Sequence, residues 1–234
     1  MVDPVRQRIA PRLWDHCYFQ TKPALRTFQE LRFLFPERIR ILDLGCGEKV
    51  YEKLFPAARY VGIDYTREGT RADVVADAAA IPFPDDAFDL VVCSELLEHV
   101  YPIEHVLSEL KRVCKPDGHV YISTPFLFPI HGRRYDFYRY TRLFYFEAFR
   151  GSDFLAFREA NLAYSIPLVL VNRLLHQAFR SGLLRPVYFG VNCAIAAIEA
   201  VTGVVARVFG NREGVQYRLR AMPAGYSMVI RLKK

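Results

Sequence analysis

Residues 41–47, Ile-Leu-Asp-Leu-Gly-Cys-Gly, constrain this chain more than any other stretch. An apolar run reaches Asp43 and then breaks into Gly45 and Gly47, one residue apart. A second short apolar run, Tyr60-Val61-Gly62-Ile63, ends on Asp64, seventeen residues after Gly47. Strand, glycine turn, helix, strand and acid, in that order, predict a βαβ unit at the carboxyl edge of a parallel sheet, the arrangement that cradles a nucleoside. The glycines let the backbone approach a ligand closely, and the acid closing the second strand is placed to accept from ribose hydroxyls.

The turn does not suit a dinucleotide. Such sites use G-x-G-x-x-G to bind an anionic pyrophosphate at a helix N-terminus. Here the third glycine position is Val50 or Tyr51, and Asp43 precedes the first glycine by two residues. A carboxylate there favours a cationic ligand over a phosphate.

The rest of the chain repeats the alternation. Helical spacing marks 22–35, with Pro23 in its first turn, and 103–114, which stops before the turn Pro116-Asp117-Gly118. Strands are expected at 39–44, 59–63, 72–76, 90–93 and 119–124. Strands alternating with helices predict a parallel sheet.

Four stretches in order resemble the class I S-adenosylmethionine-dependent methyltransferases, of the small-molecule and cell-envelope type. Residues 41–47 with Asp64 resemble the family's first motif and its ribose-binding acid. Asp77-Ala78 matches the position that contacts the adenine amino group. Phe88-Asp89-Leu90-Val91-Val92 with Ser94-Glu95-Leu96-Leu97-Glu98-His99-Val100 looks like the strand-four signature, and Lys115-Pro116-Asp117-Gly118 like the turn before strand five. The resemblance covers roughly 38–126. It implies a Rossmann-like, seven-stranded, mostly parallel sheet with helices on both faces and an antiparallel last strand. It also implies S-adenosyl-L-methionine as cofactor and S-adenosyl-L-homocysteine as product. Carried over residue by residue, it names Asp43, Gly45, Cys46, Gly47, Asp64, Tyr65, Asp77, Ala78 and Ser94 as cofactor-binding.

After strand five a helix is expected at 142–150, with Thr141 as N-cap, then a sixth strand within 154–165 and a last strand at 226–232. The family joins its last two strands by a tight hairpin, so 166–216 is expected to be a helical insertion in a single 1–234 domain whose first segment, 1–37, is helical. Within the insertion, Val191, Ile195, Ile198, Val201, Val205 and Val208 form one stripe, with Asn192, Glu199 and Gly203 roughly opposite. The run 187–209 is long enough to span a bilayer, but its charges and amphipathicity favour a helix lying on a surface. That surface is the rest of the protein, a lipid face near Arg180, Arg185, Arg207 and Arg212, or a second subunit in a homodimer.

The loop His131-Gly132-Arg133-Arg134-Tyr135-Asp136-Phe137-Tyr138-Arg139-Tyr140-Thr141 overhangs the ligand crevice. Its pattern resembles a stretch of the same methyltransferases. It offers bases (His131, Asp136), cationic anchors (Arg139, Arg133, Arg134) and aromatic walls (Tyr135, Tyr138, Phe137). Asp136 and Arg139 could equally pair with each other. His131, His99 and Asp136, in that order, are the candidate catalytic bases, and Tyr135, Tyr138 and Arg139 the substrate residues. No metal constellation is legible in the spacing.

Charge bears on the acceptor. Residues 1–127 are net −3, whereas 128–234 carry 16 basic and 6 acidic side chains, net +10. Arginine supplies 25 of the 32 basic groups, which favours planar contacts with phosphate or carboxylate. A small-molecule, glycan or lipid-linked acceptor is therefore expected. Nucleic acid is a rival on the same charge, but no Asn/Asp-Pro-Pro-Tyr/Phe motif is present, and Ser123-Thr124-Pro125-Phe126 does not match one. A non-catalytic, membrane-associated scaffold that binds the cofactor is a second rival. Five scattered cysteines without C-x-x-C, and an N-terminus lacking the apolar run of a signal peptide, point to the cytoplasm or the inner face of its membrane.

Overall fold

A computed structural model describes residues 4–35, 38–131, 134–161, 163–179, 182–209 and 222–234. Arg133, Arg180 and Arg212 lie outside these. The chain folds as two compact units: Arg26–Pro125 with Ile130–Arg158 and Tyr226–Lys234, and Met1–Leu25 with Phe126–Pro129 and Glu159–Gly225.

The first unit is built on a sheet. Its strands are β1 (Arg40–Leu44), β2 (Arg59–Asp64), β3 (Val74–Val75), β4 (Phe88–Ser94), β5 (Cys114–Pro125), β6 (Asp153–Ala160) and β7 (Gly225–Arg231), in the order β3-β2-β1-β4-β5-β7-β6. The first five are parallel, with Leu42 opposite both Val61 and Val91, and Cys93 opposite Ile122. β7 runs against β5, as the Asp117–Leu232 and Phe126–Ala224 backbone bonds require. The sheet and its antiparallel last strand thus match the expected fold. Ile41, Leu42 and Leu44 in β1, and Leu90 to Cys93 in β4, are fully buried, as central parallel strands covered on both faces must be. The chain leaves β1 toward β2 and β3 and later returns on the other side as β4. That switch opens a crevice at the carboxyl ends of β1 and β4.

The helix expected between β1 and β2 does not form. A single 3-10 turn, Glu52–Leu54, stands there. Lys49 already adopts φ 49°, and Pro56 follows shortly after, so too few residues remain for a helix to propagate. Similarly, only a 3-10 turn, Leu97–His99, follows β4. The next true helix after β4 (Ile103–Val113) buries Ile103, Val106, Leu107, Leu110 and Val113, the spacing read from the sequence. The expected turn at 115–118 is instead a bulge inside β5: two steps on β4, from Phe88 to Leu90, match five on β5, from Cys114 to His119. The helix after β5, Arg142–Ala148, begins after Thr141, whose side chain makes no capping bond.

The second unit is helical. In chain order the helices among the described residues are α1 (Pro4–Ile9), α2 (Tyr18–Arg32), α3 (Ile103–Val113), α4 (Arg142–Ala148), α5 (Ile166–Phe179) and α6 (Arg185–Phe209). α2 starts four residues before the expected position, so Pro23 lies beyond the first turn. In the second unit Ile166 and Val169 of α5 and Ile195 of α6 bury against Ala160 and Ala224.

The inward face of α6 carries part of the apolar stripe, with Ile195 buried and Val191 packed against the same core, together with polar groups. Asn192 is buried and donates to the carbonyls of Leu13 and Asp15, while accepting from Asn172 Nδ2 at 2.9 Å. Glu199 Oε1 accepts from Asn161 and Ser165 at 3.0 and 2.8 Å. Val201 of the stripe is exposed, as is Val204. Polar partners on α5 and on the segments 13–15 and 161–165 share that face with Ile195, because buried amides and carbonyls must find bonds.

Candidate active site

The turn after β1 is held by backbone geometry that glycine alone meets comfortably. Gly45 has φ +65°, and a Cβ there would stand 2.8 Å from Leu96 Cδ1. Gly47 has φ +46° and faces open space, and its amide donates to Asp64 Oδ2 at 3.0 Å. Cys46 donates its amide to the Ile63 carbonyl at 3.0 Å. Two strand ends and their acid are thereby tied together.

A cavity of about 440 Å³ opens at this edge, within the range of small-molecule and cofactor sites. Its lining includes Gly45, Asp64, Asp77 and Leu96 together with His99, Tyr101, Tyr135 and Phe137. Of the expected cofactor residues, Gly45, Asp64, Tyr65, Asp77 and Ala78 line it, as do His99 and Tyr135 from the acceptor side. Asp77 also closes its own turn, Oδ1 accepting from the Ala79 amide at 2.8 Å.

Other expected residues stand behind the wall. Asp43 is buried and accepts from the Tyr60 hydroxyl at 2.7 Å, so its carboxylate has a protein partner rather than a view of the cavity. Burial and Asp43 together raise the Tyr60 pKa. Cys46 packs against Gly62, and burial and the charge of Asp43 push its thiol up to about 12. Ser94 is buried between Ser123 Oγ at 2.9 Å and Tyr51 OH at 3.3 Å. Gly47 shapes the turn without lining the cavity. Leu96, Val100, Tyr101, Val106 and Phe137 line it as well, and of these only Phe137, an aromatic of the overhanging loop, was expected at the crevice.

Beside the cavity lies a charged cluster. Asp136 is a bidentate partner of Arg139, Oδ1 and Oδ2 accepting at 2.5 and 2.8 Å, and it also accepts from the His131 amide at 2.8 Å. The Arg139 hydrogen bonds hold its carboxyl down at about 2. This pairing engages both groups, so Asp136 is not placed as a base nor Arg139 as a substrate anchor. The amides of Phe137 and Tyr138 donate to the Glu98 carbonyl at 2.8 and 3.3 Å, pinning the loop against the turn 97–99. Tyr138 stacks between Tyr101 and Tyr140, outside the cavity wall. Glu98 is fully buried, and burial together with the charge of Glu95 pushes its carboxyl up to about 9. Burial lowers the pKa of His131, with a contribution from His99.

A methyltransferase domain family model matches residues 16–155. The chain belongs to the methyltransferase domain family. It is a class I S-adenosylmethionine-dependent methyltransferase by family, and the missing Cβ at Gly45, the carboxylate at the end of β2 and the size of the cavity fit that cofactor. The chain is 33% identical over 121 residues to malonyl-[acyl-carrier protein] O-methyltransferase of Legionella pneumophila, covering 45% of this chain and 43% of that protein. It is 29% identical over 154 residues to ubiquinone biosynthesis O-methyltransferase of Hahella chejuensis, covering 54% and 64%. It thus spans about half the length of the curated relatives it matches. Among solved structures, the [4+2]-cyclase SpnF superposes with a TM-score of 0.57 at 18% identity, over 90% of this chain and 82% of that one. At that identity the likeness is one of fold alone.

Proposed function

We propose that this methyltransferase moves the methyl group of S-adenosylmethionine to an oxygen of a small-molecule, glycan or lipid-linked acceptor. The observation that carries the reading is one cavity lined both by Asp64 and Asp77 and by His99, Tyr135 and Phe137. The bound cofactor would supply an already activated methyl sulfonium. Asp64 accepts from the ribose hydroxyls, Asp77 and Ala78 meet the adenine, and Gly45 lets the backbone approach the methionine part. Tyr101, Tyr135 and Phe137 exclude water and hold the acceptor in line, and such positioning alone supplies many orders of magnitude in rate. An oxygen acceptor is favoured because both relatives described above are named O-methyltransferases.

The test is transfer of labelled methyl from S-adenosylmethionine into a host-cell extract, with Asp64→Ala as control. Control-sensitive label in the small-molecule or organic fraction supports the reading. Label in nucleic acid would promote that rival, and cofactor binding without label in any fraction would promote the scaffold.

A second observation bears on where the acceptor resides. The stretch 182–204, which includes most of α6, is long and apolar enough to cross a membrane, yet only 17% of it is buried. Leu183, Val187, Phe189, Val201 and Val204 are exposed along it, with Arg185 among them, in the basic half of the chain. This face suits an anionic lipid surface, lying on it rather than crossing it, since Asn192 and Glu199 are engaged on the protein side.

A further inference from the structure

We propose that Glu98, His99 and His131 form a binding site for one divalent transition-metal cation, of the zinc, manganese or ferrous-iron class, beside the acceptor end of the cavity. A carboxylate oxygen and one ring nitrogen from each histidine lie within 4.8 Å of one another. His99 Nε2 stands 3.6 Å and His131 Nε2 3.9 Å from Glu98 Oε1. These separations are long for hydrogen bonds. They are close to the spacing of ligands that each sit about 2.1 Å from a shared metal, roughly 3–3.5 Å apart.

The carboxylate is the second, independent observation. Glu98 is 0% exposed, and neither of its side-chain oxygens accepts a hydrogen bond. A buried acceptor pair without donors is costly unless a proton or a cation meets it.

The outer nitrogens of the histidines point the same way. His99 Nδ1 bonds to the carbonyl oxygen of Tyr135, and His131 Nδ1 lies 3.4 Å from Asp136 Oδ2. For His99, a ring proton held at Nδ1 leaves the Nε2 lone pair facing Glu98. Backing by a carbonyl or a carboxylate is how metal-bound histidines are commonly oriented. The charges that act on both Glu98 and His131 are the carboxylates of Glu95 and Asp136 and the guanidinium of Arg139, which Asp136 pairs. Two imidazoles and one carboxylate suit a transition cation better than magnesium or calcium, which prefer all-oxygen sets.

His99 lines the cavity, whereas Glu98 and His131 do not, so the open side of the cluster faces the acceptor. Here the inference rests on the methyltransferase reading and narrows its substrate to acceptors with a cation-binding oxygen, such as vicinal hydroxyls or a hydroxyl beside a carboxylate. A nearby cation lowers the pKa of such a hydroxyl. The acceptor oxygen then forms its bond to the methyl carbon as the S–CH₃ bond breaks, sulfur keeps the bonding pair, and the hydroxyl proton passes to solvent. The histidines act in this arrangement as ligands, not bases.

The experiment titrates Co²⁺ into the chelator-treated full chain and follows its visible absorption, with Zn²⁺ as competitor. One equivalent is expected for wild type and for His105→Ala, an exposed control on α3. Glu98→Gln and His99→Ala should each bind at least about tenfold more weakly. Should Glu98→Gln fail to fold, His99→Ala, whose side chain is partly exposed, carries the comparison. No saturable Co²⁺ binding by wild type, or unchanged binding by the ligand variants, would overturn the site. S-adenosylmethionine binding is titrated separately. Cofactor binding without cation binding overturns this inference alone, and cation binding without cofactor binding supports it while overturning the cofactor reading.

Discussion

The amide of Gly47 donates to Asp64 Oδ2 at 3.0 Å, joining the turn after β1 to the acid that ends β2. The same carboxylate stands in the cavity wall. One side chain therefore both shapes the glycine turn and faces the cavity.

Asp64→Ala should weaken S-adenosylmethionine binding by roughly ten- to a hundredfold, the loss of a charged hydrogen bond worth about 1.5–3 kcal/mol. Isothermal titration calorimetry measures it, with Asp64→Asn expected between the two. Affinity within twofold of wild type would sink the nucleoside assignment.

Gly45→Ala should destabilise the fold. The left-handed backbone alone costs a non-glycine residue about 1–2 kcal/mol, and the new Cβ would press on Leu96 at 2.8 Å. A drop in Tm of about 4 °C or more is expected. Gly47→Ala, with open space around it, meets only the backbone penalty. A larger drop for Gly47→Ala than for Gly45→Ala would contradict the steric argument.

In the helical unit, Asp15 is buried and bidentate to Arg6 at 2.6 Å, and it also accepts from the Arg12 amide and Gln7. Burial pushes its pKa up, but these donors outweigh burial and hold it below the usual value. With the folded pKa depressed, the stabilisation is present above about pH 3.9 and is lost as pH falls through the folded value. Arg6→Ala should cost roughly 3 kcal/mol near neutrality by leaving a buried charge unpaired. Urea midpoints at pH 7, 5 and 3 should show the gap from wild type closing only at the lowest pH.

Asn192→Ala should cost about 2–4 kcal/mol, because it strips donors from the carbonyls of Leu13 and Asp15 and an acceptor from Asn172. Thermal unfolding measures it. A neutral result would mean that water replaces the side chain.

Val201→Asp, on the exposed face of α6, should abolish salt-sensitive pelleting with anionic vesicles while leaving Tm within about 1 °C. Equal pelleting of both proteins would remove the lipid reading of this face.

Periodicity and turn chemistry carried the sheet a long way. The strand starts and ends fall within two residues of expectation for β1, β2 and β4, and α3 runs over 103–113 where 103–114 is expected. Failures cluster where tertiary contacts override a local signal. The segment after Gly47 stays non-helical: Lys49 Nζ pairs with Asp73 Oδ2 at 2.5 Å, and that same oxygen accepts from the Gly62 amide. The apolar stripe of α6 splits: Ile195 faces the core and Val201 faces outward, with Asn192 and Glu199 bonded inward.

The sequence by itself determined the strands β1 and β2, though not what joins them, the glycine turn and the acids at the ends of β2 and β3, since these depend on backbone preferences of neighbouring residues and on a two-residue strand period. Only the tertiary structure decided that Asp43 bonds to Tyr60, that Asp136 closes on Arg139, and that His131 meets Glu98 and His99. Residues more than thirty positions apart converge there because the amides of Phe137 and Tyr138 bind the Glu98 carbonyl. A long-range backbone bond of that kind depends on the path of the whole loop, and no local spacing encodes it.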